Sequence, residues 1–115
     1  MRLRGEMNKT IETTWEELVP IARILNEVCH GIAMDNFEEE VGYNYDEIYI
    51  LLKKIKNLKS LDRKQSISLS LTDREMGIIK ASYREVLKQI EDWEFQIRIG
   101  LTISEVDQIL NQKFE

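Results

Sequence analysis

Sliding the chain along itself by 58 positions, without a gap, sets Thr14 on Thr72, Glu17 on Glu75, Ile21 on Ile79, Glu27 on Glu85 and Val28 on Val86. The register continues through Ile32 on Ile90, Phe37 on Phe95, Gly42 on Gly100, Glu47 on Glu105 and Leu52 on Leu110, giving ten identities over the 44 aligned positions 14–57. Between these, Leu18 with Met76, Cys29 with Leu87, Val41 with Ile99, Ile48 with Val106 and Leu51 with Ile109 keep an apolar residue in place. Such a repeat constrains the fold strongly. One copy, of about 40 residues, cannot bury enough apolar surface to offset the entropy of ordering it, so two copies must share a core. A chain of 115 residues has room for one such core. The expectation is a single domain over 1–115 with an internal repeat at 14–57 and 72–115.

The repeated positions are those that helix physics selects. Thr14 with Glu17, and Thr72 with Glu75, place a hydroxyl before a helix and a carboxylate three residues on, the capping box that satisfies free amide donors. Leu18, Ile21, Leu25, Val28 and Ile32 then recur at steps of three and four, as do Met76, Ile79, Tyr83, Val86 and Ile90. Phe37 and Val41, like Phe95 and Ile99, predict a short helical turn stopped by Gly42 or Gly100, since glycine reaches the left-handed conformation cheaply. Asn44 with Glu47 and Thr102 with Glu105 open a second helix in each copy, with apolar positions Ile48, Leu51, Leu52 and Ile55 or Val106, Ile109 and Leu110. Pro20 predicts a kink or a late start in the first helix.

The predicted fold is therefore all-α: a tandem duplication of a helical hairpin, packed as a compact four-helix assembly with approximate two-fold symmetry. One segment departs from this. Residues 66–71 alternate serine with Ile67, Leu69 and Leu71 at period two, which reads as an extended segment. The counterpart from Lys9 to Thr13 alternates less clearly. A ribbon of the two would be marginal in isolation.

Composition narrows the function classes. Apolar residues at 43% and charged residues at 32% describe a folding chain and not a disordered tail. No apolar run approaches the roughly 20 residues that cross a bilayer, and the first ten residues lack the apolar stretch of a signal peptide, so a cytoplasmic protein without membrane contact is expected. One cysteine, one histidine, five glycines and one proline supply little for metal, nucleophile or phosphate-loop chemistry. The expectation is a binding protein and not an enzyme, with no catalytic residue, cofactor or metal.

Sixteen Lys and Arg against 21 Asp and Glu give a net charge of −5, which opposes nucleic-acid binding. The distribution is uneven. Glu27, Asp35, Glu38, Glu39, Glu40, Asp46 and Glu47 fall in a stretch without Lys or Arg, whereas Lys53, Lys54, Lys56, Lys59, Arg63 and Lys64 then meet one acid, Asp62. The basic run could touch phosphates, but lysines at a helix C-terminus are equally explained by the helix dipole. Cys29 and His30 are helix neighbours pointing about 100° apart, which does not make a catalytic dyad. Asp35, Glu38 and Glu39 fall within one helical turn yet lack the ligand and glycine pattern of a calcium loop.

Acidic runs usually coat a solvated face; the alternative here is a docking surface for a cationic partner. In the second copy the positions of Glu38, Glu39 and Glu40 hold Gln96, Ile97 and Arg98, so the acidic bend is particular to the first. Aromatics near helix ends are usual interface anchors or end plugs. Tyr43 and Tyr45, beside the acidic bend, are assigned to an interface, and Trp15 and Trp93 to the core edge. The predicted partner-binding set is Asp35, Glu38, Glu39, Glu40, Tyr43, Tyr45 and Asp46.

The second copy carries Thr72, Asp73, Arg74 and Glu75, then the run Trp93, Glu94, Phe95, Gln96, Ile97, Arg98, Ile99 and Gly100, then Glu105, Val106, Asp107, Gln108, Ile109 and Leu110. Over about 40 residues this resembles small helical immunity proteins of bacterial contact-dependent growth inhibition and other polymorphic toxin systems. The first copy departs from the motif, with Glu40 where the second has Arg98. The resemblance implies a cytosolic inhibitor, monomeric or weakly dimeric, that binds a cognate toxin domain and occludes its active site or substrate groove. That partner would often be a cationic nuclease. An acidic protein can associate quickly with such a surface by mimicking the charge of the substrate. The alternative is a helical adaptor or regulator, an antitoxin or transcription accessory acting through protein contacts.

Overall fold

The computed structural model describes residues 8–31, 39 and 41–114. Strand β1 (Asn8–Thr14) runs into helix α1 (Trp15–Asn26), which passes into a π-helical turn at Glu27–Gly31. Helix α2 (Tyr45–Lys56) follows, then strand β2 (Ser66–Thr72) and helix α3 (Asp73–Gln89). A short helix α4 (Asp92–Ile99) and α5 (Ile103–Lys113) complete the chain. The molecule is mostly helical, but all-α is corrected by the two strands.

These strands form an antiparallel ribbon, with Ile11 opposite Leu69 at its centre. That pair is separated by the same 58 residues as the sequence repeat. The flanking pairs Asn8 with Thr72 and Thr14 with Ser66 exchange under the same offset, so the register maps onto itself. Alternation explains why the ribbon survives. Ile11, Thr13, Leu69 and Leu71 turn inward and are buried, while Glu12 and the serines face out. Ser68 and Ser66 donate hydroxyl hydrogen bonds to the Glu12 carboxylate at 2.5 and 3.0 Å, which holds its carboxyl below the usual range. From α5, Lys113 donates to the Glu12 carbonyl at 2.9 Å and pairs with Glu17 at 3.5 Å, tying the last helix to the first strand.

Each predicted helix start carries its cap. Thr14, Asn44, Thr72 and Thr102 accept from the amides of Glu17, Glu47, Glu75 and Glu105. The box is reciprocal in the last three. At Thr14 only the hydroxyl half is made, because the Glu17 carboxylate accepts instead from the Thr13 hydroxyl at 2.9 Å. The late start expected from Pro20 does not occur. Helix α1 begins at Trp15 and carries the proline ring in its buried face.

The apolar periodicity becomes one core. Leu18, Ile21, Leu25 and Val28 from the first half pack in the same cluster as Met76, Ile79, Tyr83 and Val86 from the second. Helix α1 contacts α2, α3 and α4, which places it at the centre. Phe95 and Phe114 are fully buried, and the Phe95 ring meets Tyr83 edge-on at 6.1 Å. Gly42 and Gly100 adopt left-handed φ values of 92° and 99°, each following a buried helical residue, Val41 or Ile99. Arg98 binds Glu27 at 2.8 Å and Glu94 at 3.3 Å, a charged clamp between the halves.

Candidate protein-binding surface

Helix α2 buries Ile48, Leu51, Leu52 and Ile55, so the opposite face is presented outward. That face carries Tyr45, Asp46, Tyr49, Ile50 and Lys53, all exposed, with Ile50 at 66% of its maximum. Tyr45 and Tyr49 are one helical turn apart and stack with centroids 5.9 Å apart and planes 9° from parallel. His30 reaches them from the π-helical turn and meets both edge-on, at 6.3 and 6.2 Å. Its ring is held at both nitrogens, with the Asn26 amide oxygen 3.3 Å from Nδ1 and the Tyr45 hydroxyl 3.4 Å from Nε2. The Lys53 ammonium lies 5.7 Å from the Tyr49 ring centre. Desolvation raises the Tyr45 hydroxyl above its ordinary pKa, with the negative forms of Cys29, Tyr49 and Asp46 adding to the rise.

The sequence-derived set divides here. Tyr45 and Asp46 lie on this exposed face, and Glu39 is exposed as well. Asp35, Glu38 and Glu40 lie outside the described residues. Tyr43 is half-buried and engaged by the chain itself. The Arg74 guanidinium sits 5.0 Å from its ring centre, and the bare backbone of Gly77 makes room for its hydroxyl, where a Cβ would collide. Arg74 also binds the Glu47 carboxylate through two nitrogens, which lowers the Glu47 pKa. Glu47 of the acidic stretch is thus a tether between α2 and α3. Arg98 is likewise engaged by Glu27 and Glu94.

Sequence reasoning missed Ile50 and the histidine's place in the aromatic cluster. The signal for Tyr45 and Tyr49 was their four-residue spacing opposite the α2 core stripe; nothing local links His30 to them. Trp15 is buried at the start of α1, as a core-edge residue should be, but Trp93 is not. It is 67% exposed, and Ile97, one turn on, is 73% exposed. Phe95 and Ile99 take the inward face of α4, so Trp93 and Ile97 form a second apolar surface. By the 58-residue offset their counterparts are Asp35 and Glu39.

Cys29 is half-buried, and burial pushes its thiol from 9.0 up to about 11. The direction is opposite to that of an activated nucleophile. Folding favours the neutral thiol, so this contribution to stability is complete below pH 9.0 and is lost as the pH rises toward about 11. At about pH 8, the thiolate fraction and hence alkylation by iodoacetamide should be about a hundredfold lower than in the urea-unfolded chain. Similar rates in the two states would show that the thiol is open to solvent.

Among the described residues no three His, Cys, Asp or Glu side chains are grouped to hold a metal ion, and no helix is long and apolar enough to cross a membrane. Comparison with protein families, curated proteins and solved structures gives no match to this chain.

Proposed function

We propose that this chain is a duplicated helical unit that acts in the cytoplasm as an immunity-type inhibitor, binding a toxin domain through the outer face of α2. The observation that carries the reading is the exposed Tyr45, Tyr49 and His30 cluster beside Ile50 and Asp46. Stacked tyrosines offer large, rigid contact area at small entropic cost, and such residues dominate binding energy at protein interfaces. Asp35 and Glu38–Glu40 would supply the charge that draws in a cationic nuclease. The duplication is supported by the self-mapping ribbon register, the recurring caps and the two left-handed glycines.

The test is to look beside this gene for an encoded toxin domain, to express that domain with and without the chain, and to isolate the complex. Tyr45→Ala with Tyr49→Ala should weaken binding by about tenfold or more and lose protection of growth, with helical content unchanged. Glu38→Lys, Glu39→Lys and Glu40→Lys together should slow association most at low salt. Full protection by the tyrosine variant would remove this face from the mechanism.

A second reading is a helical adaptor, favoured by the separate apolar surface of Trp93 and Ile97 on α4. An adaptor needs two faces occupied together. Loss of one partner with Trp93→Ala while the α2 partner is retained would support it over the inhibitor.

A further inference from the structure

Between α1 and the segment that follows α2 lies an open cleft of about 510 Å³. Trp15, Val19 and Ala22 of α1 supply its apolar lining, and Asn26 stands at one end. Four cations converge on it: Arg23 from α1, Lys56 at the end of α2, and Lys59 and Arg63 from the segment leading to β2. The chain carries a net charge of −5, so this is a local reversal of sign. Among the described residues none of the four makes an ion pair with an acid. Arg23 donates to the Ile99 carbonyl at the C-terminus of α4 at 3.5 Å. Acids near them in sequence are engaged elsewhere: Glu27 with Arg98 at 2.8 Å, Glu16 with Lys64 at 3.3 Å, and Asp62 with the Lys64 amide at 3.0 Å.

The cationic wall is held in shape. The Glu16 amide donates to the Arg63 carbonyl at 3.1 Å, which ties the wall to the start of α1. The Gln65 amide donates to the Asp62 carbonyl at 3.2 Å, and the Ser60 hydroxyl reaches Gln65 at the same distance, which closes the turn. The 58-residue counterpart of Lys56 is Phe114, fully buried in the core, and those of Trp15 and Arg23 are Asp73 and Ala81. Gathering four exposed like charges around a concave surface raises the local positive potential, which favours an anion there.

We infer that this cleft binds a small phosphorylated ligand with a planar or apolar body, of the class of the nucleoside diphosphates. Its volume falls in the range of small-molecule sites, which combine apolar walls with a few polar groups. Guanidinium and ammonium groups suit phosphate oxygens, and several cations match a polyanionic tail better than a single carboxylate. Trp15, Val19 and Ala22 would contact the body of the ligand, and the Asn26 amide nitrogen can donate at its edge while its oxygen faces His30. The inference shares only Asn26 with the toxin reading, and its cations and apolar wall are different residues.

Calorimetric titration of the intact protein with ADP, adenosine and inorganic phosphate tests it. ADP should bind saturably and at least about tenfold more tightly than either adenosine or phosphate, and more weakly as salt rises. Lys56→Ala and Arg63→Ala should each weaken ADP about fivefold or more, with the circular dichroism spectrum and unfolding midpoint unchanged. If a charge variant loses its fold, Lys59→Gln provides the same readout from the exposed segment. Equal affinity for phosphate and ADP would reduce the cleft to a general anion surface and overturn the proposal. So would ADP binding unaffected by the charge variants, no saturation by ADP, or binding of a short single-stranded oligonucleotide where ADP fails.

Discussion

Phe95→Ala should lower the unfolding free energy by about 3–5 kcal/mol, the cost of emptying a fully enclosed aromatic site. In thermal unfolding this corresponds to a fall of roughly 12–20 °C for a domain of this size. The ring has no exposed surface, and its edge contact with Tyr83 is lost along with the volume. Tyr83 would then face a cavity while keeping its hydroxyl bond to Asp107, so the site cannot collapse freely. Trp93→Ala, two residues away on the same helix, is the control. Its ring is 67% exposed, and the change should stay within about 0.5 kcal/mol. A comparable loss in both variants would mean that α4 does not face the core as described.

Leu69→Ala should cost about 2–5 kcal/mol, measured by urea denaturation. A free two-stranded ribbon contributes little stability of its own, so a loss of that size requires its inner face to be part of the main core. Leu69 lies opposite Ile11 and both are buried, which is the reason for the expectation. A loss below about 1 kcal/mol would make the ribbon an ornament on a helical body. Ser68→Ala, on the outer face, should matter far less, because it removes one of two hydroxyls that reach Glu12 at the surface.

The helices were legible because their signals are local. Caps at Asn44, Thr72 and Thr102, apolar steps of three and four, and glycine stops at 42 and 100 each act within a turn or two of chain. The ribbon was half legible. Serine alternation marked β2, but β1 carries Thr13 on its buried side and Lys9 opposite Leu71, which blurs the period. Only the tertiary pairing completes it. The late start read from Pro20 does not occur for the opposite reason: a local penalty was outweighed by the apolar contacts of α1 around it.

The surface was harder to read. Periodicity reports which face is apolar, and on an eight-residue helix such as α4 two apolar faces compete. Phe95 with Ile99 won the interior over Trp93 with Ile97, a choice made by packing against α1. His30 joined Tyr45 through a reach across 15 residues of chain that no spacing rule contains. Tyr43 is half-buried against Arg74 and Gly77, both in the other half of the molecule. The cationic cleft combines α1 with a segment about 40 residues later, so its charges and its apolar lining are separate features until the chain folds.

The ribbon also sets an order of events during translation. The partner of β1 lies at Ser66–Thr72, so the first strand leaves the ribosome with its amide edge unmatched. At about 5–20 residues per second, several seconds pass before that partner emerges. Through that interval the nascent chain holds an open strand that a chaperone can cover, or that a second nascent copy can capture by strand exchange.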